Sequence, residues 1–126
     1  MSSAQAQSPD GHLPLTPAAS HILLALADGE KHGYAIMREV ENLSDGTLTM
    51  GPGTLYGSIK RMLGAGLVEE TENRPDPELD DQRRRYYRLT GLGERVLSAE
   101  MTRLEAMVKA AAAKRVAFSP RPEAAQ

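Results

Sequence analysis

Apolar residues along the chain fall into helical stripes, broken at regular intervals by glycine, proline and aspartate. Thr16 and Pro17 supply a cap and a first helical position. Ala19, Ile22, Leu23 and Leu26 then recur at helical spacing until Ala27, Asp28 and Gly29 stop the pattern. A second helix starts near His32 or Gly33, carries Ile36, Met37, Val40 and Leu43 inward with Arg38, Glu39 and Glu41 outward, and ends at Ser44, Asp45 and Gly46. The alternating, β-branched run Thr47 to Met50 predicts a short strand. Pro52 opens a third helix that runs to about Ala65, with Gly66 as its left-handed cap.

The third helix has two contrasting faces. Leu55, Ile59, Met62 and Leu63 form its apolar stripe. At about 100° per residue the opposite face is Gly53, Gly57, Lys60, Arg61 and Gly64. Each interior glycine costs roughly 0.5–1 kcal/mol relative to alanine, so this thin, cationic flank is kept for close approach. Two occupants fit the pattern: a large anionic ligand such as a duplex, or another helix of the same chain.

Leu67 to Asn73 and Arg83 to Thr90 are strand-like segments on either side of a proline-punctuated, acidic loop, which makes a hairpin with a long tip. Helix, helix, short strand, helix and hairpin is the order of a winged helix-turn-helix, whose third helix enters the major groove of DNA. The expected fold is therefore mainly α with a small β-hairpin wing. On it Lys60 and Arg61 lie on the recognition face, Thr54, Tyr56 and Ser58 supply hydrogen-bond donors, and Arg83, Arg84, Arg85 and Arg88 cluster on the returning strand of the wing. His32 precedes a helix N-terminus, where it either caps the helix or meets a phosphate.

In the last helix Leu97, Met101, Leu104, Val108 and Ala111 alternate by four and three, the spacing of a coiled-coil seam. Such a stripe needs a partner, and a second copy of the chain is the expected one. The organisation expected is a disordered tail over residues 1–12, a DNA-binding domain over 13–90, a dimerisation helix over 91–116 and a second tail over 117–126.

Composition narrows the chemistry. The 126 residues include no cysteine, which removes disulfides and thiolate chemistry, and the net charge is −2, so nucleic-acid binding has to rest on where the cations sit. No leader pattern or bilayer-length apolar run is visible, which points to the cytoplasm. Three scattered histidines and the lack of nucleotide-loop, nucleophile-elbow or H-E-x-x-H motifs argue against an enzyme, and no cofactor or metal is expected. His21 reads as a structural histidine, Tyr87 with Leu89 as the buried side of its strand, and the acidic run Glu69 to Asp81 as a counterweight to the arginines.

The segments "HGYAI" at His32–Ile36, "GTLYGSIKRM" at Gly53–Met62, "GLVE" at Gly66–Glu69 and "RRYYRLTGLGERVL" at Arg84–Leu97 resemble the PadR family of bacterial transcriptional regulators. The resemblance runs from about Leu13 to the end of the last helix. It implies a winged helix-turn-helix, a homodimer held by the C-terminal helix, and repression relieved by a small effector. It also implies that Tyr34, Tyr56 and Lys60 occupy positions that approach DNA. The chain departs from the family in carrying Gly57 where many relatives have proline, and in the acidic wing-tip residues Asp76, Glu78, Asp80 and Asp81. Some relatives stack flat aromatic drugs on a tryptophan between subunits. This chain has no tryptophan, and Phe118 is its one phenylalanine, although Met101 and Met107 could line an adaptable pocket. A winged helix used only to bind protein is the alternative function.

Overall fold

All but one of the α-helices described begin where the sequence offers an oxygen or nitrogen to the first free amides. The protein is described from a computed structural model over residues 8–71 and 85–117. Helix α1 spans Pro17–Ala25, and the Thr16 hydroxyl accepts from the Ala19 amide. Strand β1 is Lys31–His32, and α2 is Gly33–Leu43, capped by His32. Helix α3 spans Pro52–Gly64; β2 is Val68–Thr71 and β3 is Tyr86–Leu89. Helix α4 spans Gly91–Ala113 and is capped by Thr90. The four helices enclose a core of Ile22, Leu23, Ile36, Val40, Leu55, Ile59, Val96 and their neighbours. Each such side chain contributes roughly 1.5–3 kcal/mol by leaving water.

The sheet is antiparallel in the order β1-β3-β2, with Lys31 opposite Tyr87 and Glu69 opposite Arg88. The strand expected at Thr47–Met50 does not form, and the two-residue β1 takes the place at the sheet instead. Both edges of β3 are occupied, so no edge of it is left for Thr47–Met50. That segment is shaped by the end of α2. Asp45 adopts the left-handed conformation (φ 58°), the Gly46 amide donates back to the Glu41 carbonyl at 2.8 Å, and the Ser44 hydroxyl accepts from the Leu48 amide. Leu48 and Met50 pack against the core from this loop.

Helix α3 ends in the same motif. Gly66 has φ 79°, the Leu67 amide donates to the Met62 carbonyl at 2.9 Å, and Leu67 and Met62 are both buried. Two residues of the expected stripes are less covered than the pattern implied: Leu43 and Leu63 are exposed, because each lies in a final helical turn that runs past the core.

The start of α4 closes on this turn. The Thr90 hydroxyl donates to the Gly66 carbonyl and accepts from the Gly93 amide, and the Thr90 amide donates to the Leu67 carbonyl at 3.1 Å. A Cβ on Gly93 would lie 2.0 Å from the Leu67 carbonyl oxygen, so only glycine fits. The first half of α4 then belongs to the same core: Val96 and Leu97 are buried.

Glu100 is also buried, and both of its carboxylate oxygens accept from Arg103, at 2.9 and 2.7 Å. The guanidinium holds the Glu100 carboxyl below its usual range, with help from the Leu15 backbone. Residues 9–12, expected as part of a tail, form a 3-10 turn that packs on α4. Residues 1–7, the rest of that tail, lie outside the described residues, as do 118–126 of the second.

Gly93→Ala should cost about 1–3 kcal/mol of stability in urea unfolding, since the added methyl meets backbone that cannot turn aside. An unchanged midpoint would contradict the fit described for this junction.

Candidate nucleic-acid interface

Helix α3 presents the thin face that its sequence requires. Gly53, Thr54, Lys60, Arg61 and Gly64 are exposed and Gly57 is half-buried. A Cβ built on Gly53 or Gly64 would meet nothing within 4 Å, and one on Gly57 would meet only Arg61 Nη1, at 3.8 Å. Among the described residues no other helix lies against these glycines, so internal packing there is not the reason for them. Backbone is therefore open along this flank.

The start of the helix differs from the other helix starts. Thr16, His32 and Thr90 each accept an amide of the helix they precede, whereas Gly51 offers α3 no side-chain cap. The first amides of α3 keep their donors and the positive end of the helix dipole faces outward, an arrangement suited to an anion.

Charge is sorted in the same sense. Arg85 pairs with Glu70 at 3.1 Å, Arg88 with Glu69 at 2.7 Å, Arg103 with Glu100 at 2.7 Å, Lys109 with Glu105 at 3.9 Å, and Lys31 with Asp28. Arg38, Lys60 and Arg61 have no carboxylate partner among the described residues. The other cations of which this is true are Lys114 and Arg115, at the far end of α4. Helix α3 thus carries two cations and no carboxylate in a chain whose sum is −2. Exposed pairs such as Arg88–Glu69 add little stability; what they do is cancel charge on the wing.

The remaining expected site residues divide by geometry. Ser58 is 4% exposed and its hydroxyl accepts from Arg61 Nη2 at 3.2 Å, so it lies off the exposed face. Its position three residues after Leu55 and four before Met62 places it in the buried stripe, a signal already present in the spacing. His32 caps α2, its Nδ1 accepting from the Ala35 amide at 3.2 Å, and its ring stands edge-on to Tyr86 at 5.5 Å. Of the two roles open to it from sequence, capping is the one seen. Tyr56 is half-buried, with its ring against Gly33: a Cβ there would lie 2.1 Å from the Tyr56 hydroxyl oxygen. This contact sets the first turn of α3 against the start of α2.

Tyr34, the next residue, is 56% exposed. Arg85 is exposed but engaged by Glu70. Arg83 and Arg84, and the acidic tip with Asp76, Glu78, Asp80 and Asp81, lie outside the described residues. As expected, Tyr87 is buried, and its burial raises its phenol pKa. His21 bonds the Pro17 carbonyl within its own helix at 2.7 Å. Arg38 is exposed on α2, turned outward as expected. Its guanidinium lies 5.9 Å from the centre of the Tyr34 ring, and the i, i+4 spacing of the two was the available signal.

On α4, Leu97 belongs to the chain's own core, so the seam open to a partner starts at Met101. Met101, Val108 and Met107 are exposed, with Leu104 and Ala111 half-covered between them. Among the described residues no helix is long and apolar enough to cross a membrane, and no group of acidic, histidine or cysteine side chains could hold a metal ion.

Gly57→Ala tests whether this flank is open. With no internal neighbour to displace, it should raise stability by about 0.5–1 kcal/mol through helix propensity. A loss of stability in the same urea titration would mean that the flank is packed.

Comparison with known proteins agrees with this geometry. Over 90 residues the chain is 39% identical to an uncharacterized 37.1 kDa protein in transposon TN4556 of Streptomyces fradiae. That match takes in 69% of this chain but 24% of the transposon protein. The structure is similar to that of RosR from H. salinarum, at 29% identity and a TM-score of 0.57, over 90% of this chain and 89% of that one. It is also similar in fold to Bacillus subtilis PadR in complex with operator DNA, at 19% identity and a TM-score of 0.57, over 87% of this chain and 51% of that one. The model of the transcriptional regulator PadR-like family matches residues 22–99, from α1 through the wing to the first half of α4, and the chain belongs to that family.

Proposed function

We propose that this protein is a sequence-specific DNA-binding repressor that acts in the cytoplasm as a homodimer on a palindromic operator. The observation that carries the reading is the exposed flank of α3: Gly53, Gly57 and Gly64 leave the backbone open, and Lys60 and Arg61 stand beside them without carboxylate partners among the described residues. Thr54 lies on the same flank and Tyr34 beside it on α2. Lys60 is assigned to a base edge or phosphate in the major groove, with the uncapped α3 N-terminus on the backbone. Arg85 joins only by leaving Glu70, so the wing is the lesser contact. The Bacillus subtilis PadR structure, a complex with operator DNA, supports the same reading.

The second copy covers Met101, Leu104, Val108 and Ala111, an apolar stripe that a single chain leaves in water. Two recognition helices related by a twofold axis read half-sites roughly 34 Å apart. A small effector that enters near Met101 and Met107 and changes the helix spacing would relieve repression. A protein-binding winged helix is the second reading, favoured by the net charge of −2 and by the neutralisation of Arg85 and Arg88.

Duplex DNA from around the protein's own gene, titrated at several salt concentrations, separates the two. The regulator binds its operator more tightly than random duplex and loses affinity steeply as salt rises. Lys60→Ala should weaken operator binding by about 1–3 kcal/mol. Unchanged affinity and salt slope in that variant would remove Lys60 from the interface. Sedimentation of the wild-type chain should return a dimer, and a monomer at all concentrations would contradict the α4 assignment.

A further inference from the structure

Arg38 and Tyr34 form a pair on the solvent side of α2 that the fold does not need. Tyr34 is 56% exposed and Arg38 is exposed, while α2 meets the core through Gly33, Ile36 and Val40. The Arg38 guanidinium lies over the Tyr34 ring, 5.9 Å from its centre. A guanidinium on an aromatic face is attracted by the ring's quadrupole and gives up part of its rotamer freedom before any ligand arrives. Although Glu39 and Glu41 are its neighbours in sequence, Arg38 has no carboxylate partner among the described residues. The outcome is a cation that is both oriented and unspent.

Its place in the fold says what it faces. Tyr56 packs on Gly33, so the start of α2 abuts the first turn of α3, and Tyr34 follows at once on the outer side. In helix-turn-helix complexes the helix before the recognition helix crosses the DNA backbone. A planar fork of donors at that crossing matches a phosphate.

We propose that Arg38 is a further DNA-binding residue, a phosphate clamp aimed by the Tyr34 ring on which it stacks. This rests on the DNA-binding reading above and adds a contact to it. Arg38 is the contacting group and Tyr34 its positioning residue. Because a phosphate carries no sequence, Arg38 adds affinity for operator and random duplex alike.

The test is fluorescence anisotropy of the full chain with operator-region and random duplexes across a salt series. Arg38→Gln should weaken both duplexes by the same factor, about tenfold, and flatten the plot of log affinity against log salt by about 0.9 per protomer. Tyr34→Phe keeps the ring and should lose less affinity than a variant without it. Tyr34→Leu removes the stack and should weaken binding about threefold, an effect that disappears in the Arg38→Gln background. Both side chains are exposed, so the unfolding midpoint of each variant should match wild type. A wild-type salt slope in Arg38→Gln would overturn the proposal, as would a Tyr34→Leu loss that persists undiminished without Arg38. If Lys60→Ala weakens binding while Arg38→Gln does not, the clamp fails and the DNA reading stands. If wild type binds neither duplex, both fall.

Discussion

The approach of α4 to the turn after α3 holds the molecule together. Gly93 brings its Cα so close to the Leu67 carbonyl that a side chain is excluded, and Thr90 bonds Gly66, Leu67 and Gly93 at the same point. Three parts meet there: the end of the recognition helix, the root of both wing strands and the start of the helix that leaves the domain. Because the junction is made of backbone and one hydroxyl, it has little freedom to adjust. The direction in which α4 leaves, and with it the placing of any second recognition helix, follows from this contact.

A second glycine contact works in the other direction. Tyr56 on Gly33 locks the start of α3 to the start of α2, so the helix is gripped at both ends while its outer flank is left bare. The charges repeat this division. Arg85, Arg88 and Arg103 are spent on Glu70, Glu69 and Glu100, whereas the cations of α2 and α3 have no such partner among the described residues. A chain with a net charge of −2 thereby keeps a local positive face on the element that its fold projects outward.

Much of this was legible in the sequence because caps and breakers are local chemistry. Thr16, Pro17, Pro52 and Gly66 act within a few residues of themselves, so the limits of α1 and α3 could be read directly. Pairing between strands is not local. Thr47–Met50 has the composition of a strand but finds both edges of β3 taken, while Lys31–His32 is too short to show a period and becomes a strand through β3. The direction of a single side chain is decided by tertiary contact as well as by period. Leu97 was assigned to the seam by spacing alone, yet the core reaches one turn further along α4 than the spacing could show. Gly33 and Gly93 were visible as letters, but their reasons, a phenol oxygen and a carbonyl, come from distant parts of the chain.

A duplex that lies along the bare flank of α3, as proposed, must perturb the amides of that flank. Amide NMR of the isotope-labelled protein, titrated with duplex DNA from around its own gene, tests this residue by residue. The largest shifts should fall on Gly53, Thr54, Gly57, Lys60 and Gly64, with smaller ones at Tyr34 and Arg38. Shifts confined to the wing or to α4, with the α3 glycine amides unmoved at saturation, would contradict it.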